Sequence, residues 1–166
     1  MSFQRRIVVA DAGVLINLIH VDALHLLGRL VRFEFVVLEH VIQEITRPDQ
    51  AAALAHAMQR GWIRRDDLDR PDGLEVFADL MRVIDRGEAA SLAWAVIAGA
   101  AIACDDRKGR REATARLGAG NILTTPGLLL IAIRDGLLTF DEADAMKATL
   151  EARRFTMAFR SFRELV

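Results

Sequence analysis

Short apolar runs rich in β-branched residues recur along this chain with helix-period segments between them, and that alternation restricts the possible folds more than any other feature. Residues 6–10 (RIVVA) are the first such run. Residues 12–21 follow with Val14, Leu15, Leu18 and Ile19 spaced to share one helix side. Further strands are predicted at 33–38 (FEFVVL), 62–64, 101–104 and 121–124, and helices at 23–30, 40–46, 50–60, 74–84, 88–98, 107–117, 126–134 and 140–153. Pro48 is read as the stop of the helix at 40–46, Gly87 as a breaker before the helix at 88–98, and Pro126 as a helix start. Neighbouring parallel strands need crossover connections, so strands alternating with helices imply an α/β protein: a three-layer α/β/α arrangement around a parallel sheet of four to five strands.

With 166 residues, 52% hydrophobic and 27% charged, the chain is expected to form one ordered domain spanning 1–166. Its longest apolar stretch, residues 92–104, is too short for a membrane helix, which needs about 20 residues. The leading segment MSFQRRIVVADAGV lacks the apolar stretch and cleavage site of a signal peptide, so a cytoplasmic location is expected. Cys104 is the single cysteine, which excludes an internal disulfide and a cysteine-rich zinc site. His20, His25, His40 and His56 lack zinc-ligand spacing, and Cys104, at the end of an apolar run, is expected to be buried as packing. A net charge of −1 gives no overall attraction to a polyanion, so nucleic-acid binding would require local basic patches. The most polar stretch, RRDDLDRPDG at 64–73, is read as a loop, and the terminal FTMAFRSFRELV as a tail apolar enough to dock.

Ligands of open α/β sheets bind outside the carboxyl ends of the strands, where this reading places Asp11, Asp105 and Asp106. Each acid has a plainer alternative. Asp11, Asp105 and Asp106 directly precede helices and can cap them, Glu88 suits a helix's positive end, and Glu44 can be a solvated face residue.

Taken together, VVADAGVLINL, HVIQEI, GEAASLAWA and AIACDDRKGR resemble, in order, the four acidic motifs of PIN-domain nucleases. The resemblance runs from about Ile7 to Arg134 and is most similar to the prokaryotic group that includes VapC-type toxins of toxin–antitoxin pairs. It implies a PIN-like fold and metal-site acids at Asp11, Glu44, Glu88 and Asp106, with Asp105 as an auxiliary or alternative ligand. It also implies Mg²⁺ or Mn²⁺ as cofactor, RNA as substrate, an antitoxin protein as partner, and a homodimer. Consecutive residues of an extended segment point to opposite sides, so one of Asp105 and Asp106 should face the metal directly. The chain departs from the pattern at Ala12 and Gly13, where a small hydroxyl residue often follows the first aspartate, and at Cys104, where Thr or Ser often stands. The hydrogen bonding such residues give the acids is not supplied at these positions.

The chemistry agrees with that resemblance. A divalent ion acidifies water and neutralises developing phosphate charge, and hard Mg²⁺ or Mn²⁺ prefers carboxylate oxygens. Arg107, Lys108 and Arg110, with Arg111 and Arg116 beyond, follow the last motif and are candidates for the phosphate backbone; their alternative is an exposed basic helix face. Arg64, Arg65, Arg153, Arg154, Arg160 and Arg163 are left unassigned. Two other functions compete with an RNA-cleaving enzyme: a catalytically inactive PIN-like binding module, and a metal-dependent phosphohydrolase of small phosphate esters. The latter is disfavoured because no DxDxT-like motif follows the first strand.

Overall fold

The structure, a computed structural model, describes residues 4–166; the targeting reading of the leading segment falls in part on residues 1–3, outside the described residues. The chain runs β1 (Arg6–Ala10), α1 (Ala12–His20), α2 (His25–Arg29), β2 (Phe33–Leu38), α3 (Glu39–Glu44), α4 (Pro48–Gln59), β3 (Arg64–Asp66), α5 (Pro71–Leu80), α6 (Arg86–Ala98), β4 (Ala101–Ala103), α7 (Arg107–Leu117), β5 (Ile122–Leu123), α8 (Thr125–Arg134) and α9 (Phe140–Ala152). The five strands pair in the order β3-β2-β1-β4-β5, all parallel. The expected α/β class and parallel sheet of four to five strands therefore hold. Among the described residues, no helix is long and apolar enough to cross a membrane.

Strand alternation sorts the core into two halves. Val8 and Ala10 of β1, Phe35 and Val37 of β2, and Ala101 and Ala103 of β4 point into one apolar cluster with α1, α2, α4, α8 and α9. Val9, Val36, Leu38, Ile102 and Cys104 point into the other, beneath α5, α6 and α7. Both faces of the central strands are sealed: Val8, Val9 and Ala103 have no exposed surface. This explains why these strands read as continuous apolar runs instead of alternating ones. The terminal tail docks as expected, with Phe162 wholly buried and held by Asp144, which accepts from the Phe162 N–H at 2.9 Å and the Ser161 hydroxyl at 2.6 Å.

Several element boundaries differ from the sequence reading. The third strand lies at Arg64–Asp66, not at 62–64, because Ile63 is drawn into the core and Trp62 over Gly28, so backbone pairing begins with Arg64 opposite Val36. As an edge strand it needs no apolar pattern: Arg64 pairs with Glu34 and Asp66 at 2.9 Å, and Arg65 pairs with Glu39. Pro48 starts α4 instead of merely ending the helix before it, and Pro71 starts α5 inside the stretch read as loop. Both sit in a helical first turn, where the missing N–H costs nothing. Gly87 lies within the first turn of α6 and does not break it.

Candidate metal centre

Asp11 and Cys104 continue the alternation of β1 and β4 onto the face covered by α6, the helix that carries Glu88. One carboxylate oxygen of Asp11, one of Glu88 and Cys104 Sγ lie within 4.8 Å of one another. Here β1 and β4 are adjacent, and the chain has crossed from one half of the sheet to the other, which is where open α/β sheets form their crevice.

Asp11 is 5% exposed, and although it occupies the N-cap position of α1 its side chain makes no capping hydrogen bond. Its Oδ1 is buried with no hydrogen-bond partner among the described residues. Leaving a buried carboxylate oxygen unsatisfied is costly, so such an atom points to an unfilled role instead of a packing one. Burial, followed by the repulsion of Glu88, raises the Asp11 carboxyl from 3.8 to about 7; Glu44 and Asp105 add to this and the Ala12 N–H opposes it. Glu88 is likewise raised to about 7, by burial first and then by Asp106, Asp85 and Glu44. Burial, then Asp11, Glu88 and Asp105, push the Cys104 thiol far up, so without a bound cation it stays protonated. Cys104 is buried, as expected, yet it belongs to the cluster, which its apolar surroundings in the sequence did not reveal.

Glu44 comes from the last residue of α3, and its exposed side chain accepts the Gly87 N–H at 2.8 Å, satisfying a free donor in the first turn of α6. A Cβ on Gly87 would lie 2.4 Å from a Glu44 oxygen. The glycine therefore makes room for the acid. Gly109 does the same on α7, where a Cβ would come within 2.8 Å of Cys104 Sγ and 3.1 Å of Glu88 Oε1. Neither glycine was singled out by sequence reasoning as a site residue.

Asp105 and Asp106 diverge. Asp105 turns toward α1 and α8, accepting from the Thr125 N–H (2.8 Å), the Thr125 hydroxyl (2.5 Å) and Asn17 Nδ2 (3.0 Å). Asp106 caps α7 through the Gly109 N–H at 3.0 Å with Oδ2, and it is near enough to Glu88 to be its main charged neighbour. The hydroxyl that Ala12, Gly13 and Cys104 fail to supply thus reaches Asp105 from Thr125, far along the chain.

A family model described as a PIN domain matches residues 7–165. This chain belongs to the PIN domain family. The crystal structure of PAE2754 from Pyrobaculum aerophilum resembles it with a TM-score of 0.53, covering 81% of this chain and 99% of that one at 16% identity, a likeness of fold alone. A search of curated proteins finds no match.

As a PIN domain the chain is of nuclease type, a class that acts on nucleic acid and depends on divalent metal. The residues present fit such an ion: an orphaned buried oxygen, a facing carboxylate that burial and repulsion keep short of full ionisation, and further acids at the rim. Two carboxylates about 5 Å apart repel by roughly 3 kcal/mol at an effective dielectric near 20, which a cation would reverse. Beside this PIN centre, Arg107, Lys108, Arg110 and Arg111 line an open depression with Thr114, and none of these four cations pairs with an acid among the described residues. Arg64, Arg65 and Arg163, by contrast, are each bound to acids. The histidines lie elsewhere: His25 and His56 edge-on to Trp62, His40 against Phe77, His20 beside Gln50.

Proposed function

We propose that this PIN domain is a Mg²⁺- or Mn²⁺-dependent endoribonuclease and the toxin of a toxin–antitoxin pair. The observation that carries the metal-dependent reading is the partnerless, buried Oδ1 of Asp11, whose carboxylate clusters with Glu88, with Glu44, Asp105 and Asp106 around them. Asp11 would hold the ion with Asp106, while Glu88 and Glu44 would bind it through water or hold a second one. When bound, the ion supplies a more acidic water and neutralises charge building on the phosphodiester. Glu88, half-buried and raised toward neutrality, is suited to accept the water's proton on its carboxylate. Asp105, engaged by Thr125 and Asn17, fixes the end of β4 against α8 and α1, so its part is to position Asp106. Arg107, Lys108 and Arg110 would meet the RNA backbone, because they are exposed, without an acidic partner among the described residues, and close in sequence to Asp106. Two copies pairing, and capture by an antitoxin, belong to the same reading.

The test is cleavage of RNA by the purified protein with Mg²⁺ or Mn²⁺, beside Asp11→Asn and Asp106→Asn variants with native circular dichroism. Loss of about a hundredfold or more in both variants and in chelator is expected, since each treatment removes a charged ligand or the ion itself. Undiminished cleavage in both would refute the assignment. Induced expression should arrest growth, and Asp11→Asn should relieve it; harmless expression of the active protein would remove the toxin role.

A further inference from the structure

Mg²⁺ and Mn²⁺ are satisfied by oxygen, yet the innermost cluster of this centre presents a sulfur. Cys104 Sγ lies within 4.8 Å of carboxylate oxygens from both Asp11 and Glu88, and its S–H approaches Glu88 Oε1 at 3.9 Å. The backbone keeps it there: β4 directs Cys104 onto the α6 face, and Gly109 leaves the space its sulfur fills. The orphaned Oδ1 of the 5%-exposed Asp11 is an independent sign that a cation belongs in this pocket.

We propose that the centre has a second mode of occupancy, in which a thiophilic ion of the Zn²⁺ or Cd²⁺ class is held by Asp11, Glu88 and the Cys104 thiolate and excludes Mg²⁺ or Mn²⁺. Zn²⁺ takes thiolate and carboxylate together in tetrahedral sites, whereas hard ions gain little from sulfur. On binding, the Cys104 S–H bond breaks, a sulfur–metal bond forms and the proton leaves to solvent, with no change of oxidation state. Such an ion would take up Asp11 and Glu88, which the hard ion also needs, so it would act as an inhibitor. This rests on the metal-dependent reading above for its consequence, but not for its chemistry.

The probe is Cd²⁺ added to the metal-free full chain, followed by the ultraviolet thiolate-to-cadmium charge-transfer band. Because Cys104 is the only cysteine, any such band reports this residue. The band should saturate with one ion, and Cys104→Ser should lose it together with about tenfold or more in Cd²⁺ affinity, since the soft ligand is gone. Mn²⁺ affinity, read by electron paramagnetic resonance, should be kept or raised in that variant, since hard ions gain little from sulfur and a serine hydroxyl puts oxygen in its place, and Cd²⁺ should displace Mn²⁺ bound to the parent. Absence of the band from the parent protein overturns the proposal, whether or not the variant folds. Equal Cd²⁺ affinity in parent and variant does the same. A band without Mn²⁺ binding or RNA cleavage leaves the thiophilic site standing and sinks both its inhibitory consequence and the metal-dependent ribonuclease reading; Mn²⁺-dependent cleavage without a band overturns the site and leaves that reading standing.

Discussion

At the scale of single residues, the site is a set of acids held where acids are uncomfortable. Asp11 titrates near 7 in the folded chain against 3.8 when unfolded, so between those values the folded state binds more protons. Its contribution to stability is therefore fully present below about pH 4 and is lost as pH rises through about 7. In chelator, Asp11→Asn should be more stable than the parent by a few kcal/mol above pH 7, and the gap should close toward pH 4, as read by urea unfolding across that range; a pH-independent gap would contradict the burial argument. Gly87 offers a different test. Alanine there should raise helix stability by about 0.5–1 kcal/mol on propensity alone, yet its Cβ would occupy the place of the Glu44 carboxylate. Because Glu44 is a flexible, exposed side chain, it will swing away instead of unfolding the helix. The expected result for Gly87→Ala is an unchanged or higher melting temperature with weakened Mn²⁺ binding, measured by thermal melting and metal titration on one sample.

At the scale of elements, the strands act as pointers. Each step past the end of β1 or β4 reverses direction, so Asp11, Cys104 and Asp106 address α6 while Asp105 addresses α1 and α8. Helix α6 answers with Glu88 and accepts Glu44 at its first turn. Helix α7 has two unlike sides: Gly109 lies against Cys104 and Glu88 and Ala113 is buried in the core, while Arg107, Lys108, Arg110 and Arg111 are exposed. Neutralising Arg107, Lys108 and Arg110 to Gln should weaken RNA binding at all sequences and reduce the slope of log affinity against log salt by roughly 0.7 for each single-strand phosphate left without its cation. Arg64→Gln, whose guanidinium is already held by Glu34 and Asp66, should leave that slope unchanged. Equal effects from both changes would mean that α7 presents only a solvated face.

At the scale of the whole molecule, the sheet separates support from chemistry. Asp11, Glu88 and Asp106 gather on the α6 side, whereas the opposite cluster closes around Phe162 from the terminal tail. Phe162→Ala should cost about 3–5 kcal/mol, as a wholly buried aromatic does, while leaving Mn²⁺ affinity at temperatures below melting within about twofold. Denaturant unfolding and metal titration together test this; a parallel loss of affinity would show that the two sides are coupled.

The order of strands and helices, the buried central runs and the acids at their ends were all legible in the sequence, because hydrophobic periodicity is a local property that side-chain chemistry fixes over a few residues. The edge strand at Arg64–Asp66 was not, since its pairing depends on backbone groups of β2 and not on its own side chains. Nor could adjacency in the chain tell Asp105 from Asp106, or show that Thr125, 20 residues onward, holds the former. The thiol of Cys104 reads locally as core, and Gly87 as a helix breaker. Only the packing of α6 and α7 onto β1 and β4 turns one into a neighbour of Asp11 and the other into space for Glu44, because burial and repulsion arise between groups that folding alone brings together.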